Sequence, residues 1–290
     1  MQQFEFLLPS SLAEVVALMD QHGDTCKVVA GGTDIVPALR EERLAGVTKL
    51  IDIRRRPELR GIKRMDAGLW IGAATTHSEI VQSLEVNQLW PLLVEACGQI
   101  GSKQIRNLAT VGGNVANASP AADSIPALLC LDARVSLLST HGKREIPLQV
   151  YLAEKKQSGV QRVELLEGFF LPTPLINTLT KFVKVARRQA MAISRLSLAV
   201  ALHTEAGLIN LARLVPGAML PITQRLEGVE NFLVGKRLTA EVSSQAAKLA
   251  SENVIAETGM RSSFKYKVPV LEGLIKQVLD QCQEGVEDHG

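Results

Sequence analysis

Apolar positions fall into strand-like runs at some points of this chain and into helical spacing at others. Residues 4–8 form a short apolar run suited to an edge strand, ended by Pro9. Ser11 with Glu14 makes a capping box, and Leu12, Val15, Val16 and Met19 follow at helical spacing until Gly23. Residues 27–30 read as a buried strand running into Gly31-Gly32. Pro37 fits the first turn of the helix that follows, where its missing N–H costs nothing, and residues 50–53 read as a third strand. This β-α-β-α-β order predicts a first subdomain over residues 1–57.

A second subdomain is predicted over residues 58–176. It has a strand at 69–73, a capping box at Thr76 and Glu79, and an apolar helix at 90–100. A glycine turn follows at Val111-Gly112-Gly113-Asn114, then a helix at 125–131 and strands at 134–138 and 163–171, the last ended by Pro172. In residues 177–290, three strand-like runs at 182–186, 197–202 and 208–216 are joined by short polar links, the pattern of an antiparallel sheet. Helices are expected near 240–255 and 266–281. The predicted fold class is α+β in three lobes.

Composition narrows the function. With 46% apolar residues the chain buries a sizeable core, and 32 basic against 30 acidic residues leave no electrostatic footprint for nucleic acid or an anionic membrane. The run Arg54-Arg55-Arg56 is short enough to read as a solvated loop. No stretch reaches the ~18 consecutive apolar residues of a membrane span, and the N-terminal residues lack the pattern of a signal peptide. Cys26, Cys97, Cys130 and Cys282 are far apart, and the five histidines are dispersed. Neither set has zinc or iron–sulfur spacing, so the chain is expected to be cytoplasmic, with reduced thiols and no metal site of its own.

Two motifs carry candidate chemistry. In Val28-Val29-Ala30-Gly31-Gly32-Thr33-Asp34, glycines without Cβ let backbone N–H groups approach an anion, and Thr33 adds a hydroxyl. The second, Gln104-Ile105-Arg106-Asn107-Leu108-Ala109-Thr110-Val111-Gly112-Gly113-Asn114, repeats the arrangement with Thr110 and Asn114 as flanking hydrogen-bonding side chains. Either pair alone is also an ordinary turn. Asp123, before an apolar helix, reads equally as a helix cap or as an acceptor for a ligand hydroxyl. Neither motif fits G-x-G-x-x-G or the P-loop. Two such loops point to an anion site, with one loop from each lobe on a long dinucleotide's phosphates, without naming the ligand.

These motifs, followed by Ser119-Pro120-Ala121-Ala122-Asp123, resemble the FAD-binding (medium, flavoprotein) subunit of the molybdenum hydroxylases, the xanthine dehydrogenase and carbon monoxide dehydrogenase family. Phe182-Val183-Lys184, Arg188, Ala192-Ile193-Ser194, Pro221 and Tyr266-Lys267 extend the match in order and spacing. The resemblance implies a FAD-binding fold of the vanillyl-alcohol-oxidase (PCMH) type, with two α/β subdomains and a C-terminal domain of antiparallel sheet plus helices. It implies that Val29, Ala30, Gly31, Gly32, Thr33, Asp34 and Ile35, with Thr110, Gly112, Gly113 and Asn114, hold the pyrophosphate and adenosine part. Asp123 would meet the ribityl or pyrophosphate region, Leu166 would lie near the isoalloxazine ring, and Lys184 would approach that ring. Without the resemblance, Lys184 reads as a solvated charge guarding an edge strand. Leu166-Glu167-Gly168-Phe169-Phe170 departs from the family pattern after the leucine, and there is no cysteine-rich insertion for a further cluster.

The resemblance also implies the role. Electrons would arrive from an iron–sulfur subunit with [2Fe–2S] clusters, fed by a large subunit binding the molybdopterin cofactor, and leave through FAD to NAD⁺ or another acceptor. The alternatives are a self-contained flavin reductase or oxidase of the same fold, and a cofactor-free binding or assembly protein.

Overall fold

A computed structural model describes residues 3–156, 163–188 and 193–287. Its elements in chain order are β1 (Glu5–Leu7), α1 (Leu12–His22), β2 (Cys26–Val29), α2 (Ile35–Arg40), β3 (Lys49–Asp52), β4 (Ile62–Met65), β5 (Gly68–Gly72) and α3 (His77–Gln82). Then come α4 (Leu84–Leu89), α5 (Pro91–Gly98), α6 (Lys103–Arg106), α7 (Val111–Asn117), α8 (Ser124–Cys130), β6 (Arg134–Ser139), β7 (Gly142–Pro147), α9 (Leu148–Lys156) and β8 (Leu165–Pro172). The last are β9 (Leu179–Val185), β10 (Leu196–Glu205), β11 (Leu208–Gly217), α10 (Glu227–Leu233), α11 (Ala240–Thr258) and α12 (Phe264–Glu287).

The chain divides into two units, each drawn from separate stretches. The first holds residues 1–83, 102–118 and 132–172. Its β1, α1, β2, α2 and β3 form a small parallel sheet in the order β1-β3-β2, as the leading pattern predicts. Only half of the expected capping box opens α1. Ser11 accepts from the Glu14 amide, while the Glu14 carboxylate turns back to Ser10. At α3 the box is complete, with Thr76 and Glu79 satisfying each other's amides. The same unit contains an antiparallel sheet of order β4-β5-β8-β6-β7. Val15, Ile51, Leu59, Ala74 and Leu165 belong to one apolar cluster of this unit.

The second unit holds residues 84–101, 119–131 and 173–290. Its antiparallel sheet runs β11-β10-β9, confirming the three strands expected there. In the central strand, residues 196–202 are buried without alternation, because both faces are covered. Helices α5 and α8 pack on this sheet, as does α12, which with α10 and α11 completes the apolar cluster around Leu198, Val200, Leu271 and Ile275. Among the described residues no helix is long and apolar enough to cross a membrane.

Candidate functional site

The first glycine segment leaves β2 and enters α2. Its two glycines do different work. A Cβ on Gly31 would lie 2.1 Å from the Leu108 carbonyl oxygen and 2.9 Å from Ala109 Cα, so this position is where residues 108–109 press against the loop. Gly32 has φ +73°, and a Cβ there would meet only methyls of Val36 and Val29, at 3.6 and 3.8 Å. Gly31 therefore packs the loop and Gly32 turns it. The Val36 amide donates to Gly32 O at 2.9 Å and that of Ala38 to Asp34 O at 3.2 Å. Among the described residues, the amides of Gly31, Gly32, Thr33, Asp34 and Ile35 have no protein acceptor. Five consecutive donors without partners form a main-chain nest for an anion. Val29 is buried beneath, and its carbonyl accepts from Ile53, so it anchors the loop's base.

The second segment is built differently. Sequence patterning reads residues 111–114 as a turn; they are the first turn of α7, with Thr110 as N-cap. Thr110 Oγ1 accepts from the Gly113 amide at 3.0 Å, and Thr110 O accepts from Asn114 at 3.0 Å. The amides of Val111 and Gly112 donate to Thr75 O and Ala73 O. All four N–H groups are thus already paired, because a threonine cap and the neighbouring strand end outcompete solvent for them. A Cβ on Gly112 would lie 2.5 Å from Ala73, a packing position like Gly31, whereas one on Gly113 would meet only Thr110 Oγ1 at 3.0 Å. In both pairs the first glycine joins two stretches of chain and the second leaves space.

The strand that carries Leu166 is stitched to this turn through its neighbour Glu167 and Ala73. The Ala73 amide donates to Glu167 O at 2.9 Å, and Ala73 O receives the Gly112 amide. Leu166 is buried in β8 beside a bulge at Ser136 and Leu137. Glu167, the first residue of the stretch that departs from the family pattern, accepts from Ser136 Oγ at 2.8 Å and pairs with Lys143 at 2.7 Å.

In the second unit, Asp123 stands at the N-cap position of α8 but caps nothing. One carboxylate oxygen takes Lys184 Nζ at 2.6 Å and the other takes the Ser194 hydroxyl. Lys184 donates also to Gln99 O at 2.8 Å. The two side chains are only 5% and 7% exposed, so the reading of Lys184 as a solvated edge charge fails. Burial raises the Asp123 pKa, opposed by Lys184 and Ser194.

Two family models match most of the chain, one after the other. Residues 2–174 match the FAD binding domain in molybdopterin dehydrogenase, and residues 181–282 match the CO dehydrogenase flavoprotein C-terminal domain. The chain belongs to this flavoprotein family. It is 30% identical to the nicotinate dehydrogenase FAD-subunit of Eubacterium barkeri, over 99% of this chain and 100% of that subunit. To the xanthine dehydrogenase FAD-binding subunit of Escherichia coli O157:H7 it is 27% identical, with 94% of each covered. Among solved structures, a carbon monoxide dehydrogenase from Hydrogenophaga pseudoflava has a TM-score of 0.83 at 27% identity, covering 96% of this chain and 95% of that one. The expected α+β class and the recognised family are both borne out.

The residues present in this family member fit a diphosphate. The free amides of residues 31–35 and the open side of Gly32 are what phosphate oxygens require. Sequence reasoning missed the supports: Leu108 and Ala109 behind Gly31, Ala73 behind Gly112, and Ser194 and Gln99 around Asp123 and Lys184. It also missed His77, fully buried at the start of α3, whose ring nitrogens meet no hydrogen-bond partner among the described residues and whose amide donates to Ala109 O. None of these contacts has a local sequence signal, since each joins stretches far apart in the chain.

Proposed function

We propose that this chain binds FAD through the amides of residues 31–35 and serves as the electron-transferring subunit of a molybdenum hydroxylase complex. The observation that carries the reading is the run of five unpartnered donors in a chain whose family is flavin-binding. Gly31, Gly32, Thr33, Asp34 and Ile35 would hold the diphosphate, with Val29 and Ala30 fixing the base of the loop. Gly113 and Asn114 would border the cofactor, while Thr110 and Gly112 act by fixing the turn. Leu166 would supply an apolar surface, and Asp123 with Lys184 would serve the ribityl and ring portions, as the resemblance implies. When bound, flavin accepts electrons singly and releases them in pairs, which suits a station between iron–sulfur centres and a two-electron acceptor.

The relatives named above are subunits of nicotinate and xanthine dehydrogenases. By that likeness, an iron–sulfur subunit with [2Fe–2S] clusters would deliver electrons and a large subunit would carry the molybdopterin cofactor. NAD⁺ is the first acceptor to test. The decisive experiment is to purify the complex and titrate it with its hydroxylatable substrate while following the flavin and cluster absorbance. We expect both to bleach and NAD⁺ to restore the flavin band. A flavin that stays oxidised while the clusters bleach refutes the role.

A further inference from the structure

Ala218, directly after β11, sits in the left-handed region of backbone space at φ +58°. A residue with a side chain stays in that conformation only where its surroundings hold it there. Both polar main-chain atoms of Ala218 are held. Its amide donates to Pro120 O at 2.8 Å, and its carbonyl accepts from Lys267 Nζ at 2.5 Å. One residue thereby ties α12, which carries Lys267, to the loop that leads into α8.

That loop ends on Asp123. Pro120 has no N–H, so its carbonyl is its one main-chain hydrogen-bonding group, and Ala218 takes it. Ser119 closes the turn from within: its carbonyl accepts from the Ala122 amide at 2.9 Å and its hydroxyl from the Ala121 amide at 3.3 Å. From Ser124 onward every residue of α8 is buried. The Asp123 carboxylate is thus presented to Lys184 and Ser194 by a turn fastened at Pro120 on one side and by a buried helix on the other.

Ion pairing does not account for a lysine at 267. Its ammonium is half-buried and meets no carboxylate among the described residues. Burial, then nearby Arg261 and Arg195, lowers its pKa, so the charge stands where its surroundings disfavour it. What the side chain gains is the bond to Ala218 O, to which no other group among the described residues donates. A partly buried carbonyl needs such a donor. We infer that Lys267 is a positioning residue for the cofactor site: by clamping Ala218 in its left-handed turn it sets Pro120, and with it the loop that presents Asp123. This rests on the reading of Asp123 as a contact of bound FAD.

The test uses the full chain, freed of FAD and titrated with it. Flavin fluorescence gives the dissociation constant, and visible circular dichroism reports the setting of the bound flavin. Lys267→Met removes the donor and is expected to weaken FAD binding about tenfold, changing the visible band in the same sense as Asp123→Asn. Lys267→Arg, which keeps a charged donor of similar reach, is expected to recover most of both. Because the lysine acts through Asp123, Lys267→Met/Asp123→Asn should bind FAD no more weakly than Asp123→Asn alone. Lys267→Gln keeps a polar group at this half-buried position and should act in the same direction, so it carries the test where the methionine variant does not fold. A folded Lys267 variant that binds FAD like wild type, or whose effect simply adds to that of Asp123→Asn, overturns the positioning role and leaves the proposed function standing. An Asp123→Asn protein with unchanged affinity and spectrum removes the Asp123 contact, and this inference with it.

Discussion

Replacing Gly31 with alanine drives a methyl group into main chain that has nowhere to go. The new Cβ would lie 2.1 Å from Leu108 O, 2.7 Å from Leu108 C and 2.9 Å from Ala109 Cα. Every one of those atoms is backbone, so no rotamer change relieves the overlap, and residues 108–109 must move back by more than about 1 Å to reach ordinary contact. Overpacking of this kind costs about 1–3 kcal/mol, and a rigid neighbour puts Gly31→Ala at the upper end. For a chain of this size that is a fall in melting temperature of roughly 5–10 °C. Because the same seam shapes the loop whose amides are free, FAD retention should fall with it. The control is Gly113→Ala, whose Cβ meets only Thr110 Oγ1 at 3.0 Å. It should melt within about 2 °C of wild type, since alanine is the better helix former and offsets the contact. Melting of the FAD-free proteins by circular dichroism, with bound flavin measured separately, checks both. A Gly31→Ala protein that melts with wild type would show that the loop and residues 108–109 are not pressed together.

Lys184→Met leaves the Asp123 carboxyl buried without its cation, and urea unfolding near neutral pH should show a loss of about 3–5 kcal/mol; Asp123→Asn/Lys184→Met should recover a substantial part of it. Thr110→Ala removes the acceptor for the Gly113 amide and should cost about 0.5–2 kcal/mol in the same assay. His77 supplies a pH signature, because burial, then nearby Arg106, lowers its pKa from 6.5 to about 4. Above pH 6.5 both folded and unfolded forms are neutral, and between 6.5 and about 4 only the unfolded chain takes up the proton. Stability therefore declines across that window as pH falls, by up to about 3 kcal/mol, and levels off below it. His77→Leu should flatten this part of the urea-midpoint profile, and an unchanged slope would refute the assignment.

Much of the scaffold was legible because it is written in local patterns. The leading β-α-β-α-β unit, the Thr76–Glu79 capping box and the three antiparallel strands of the second unit all follow from spacing and caps. The hairpin of β6 and β7 was not foreseen, since β7 reads Gly-Lys-Arg-Glu-Ile-Pro, almost without apolar residues, and faces solvent on most positions. The glycine motifs were visible as motifs, but the division of labour within each pair was not. Whether a glycine packs or opens depends on which distant backbone it meets, Leu108 for Gly31 and Ala73 for Gly112. Likewise the two readings of Asp123 could be separated only once Lys184 and Ser194, 61 and 71 positions away, were seen on its oxygens. The paired amides of α7 also follow from tertiary context, because two of their four acceptors lie in residues 73–75.

The interleaving of the two units has a bearing on biosynthesis. Helices α4, α5 and α8 emerge from the ribosome before β9, β10 and β11, although α5 and α8 pack on that later sheet. Leu92, Leu93, Ala127 and Leu128, all fully buried in the finished protein, must wait as uncovered apolar surface until the last hundred or so residues are made. A truncation at the seam between the two family models, near residue 174, would make that wait permanent. Such a fragment is expected to aggregate rather than yield a separate flavin domain.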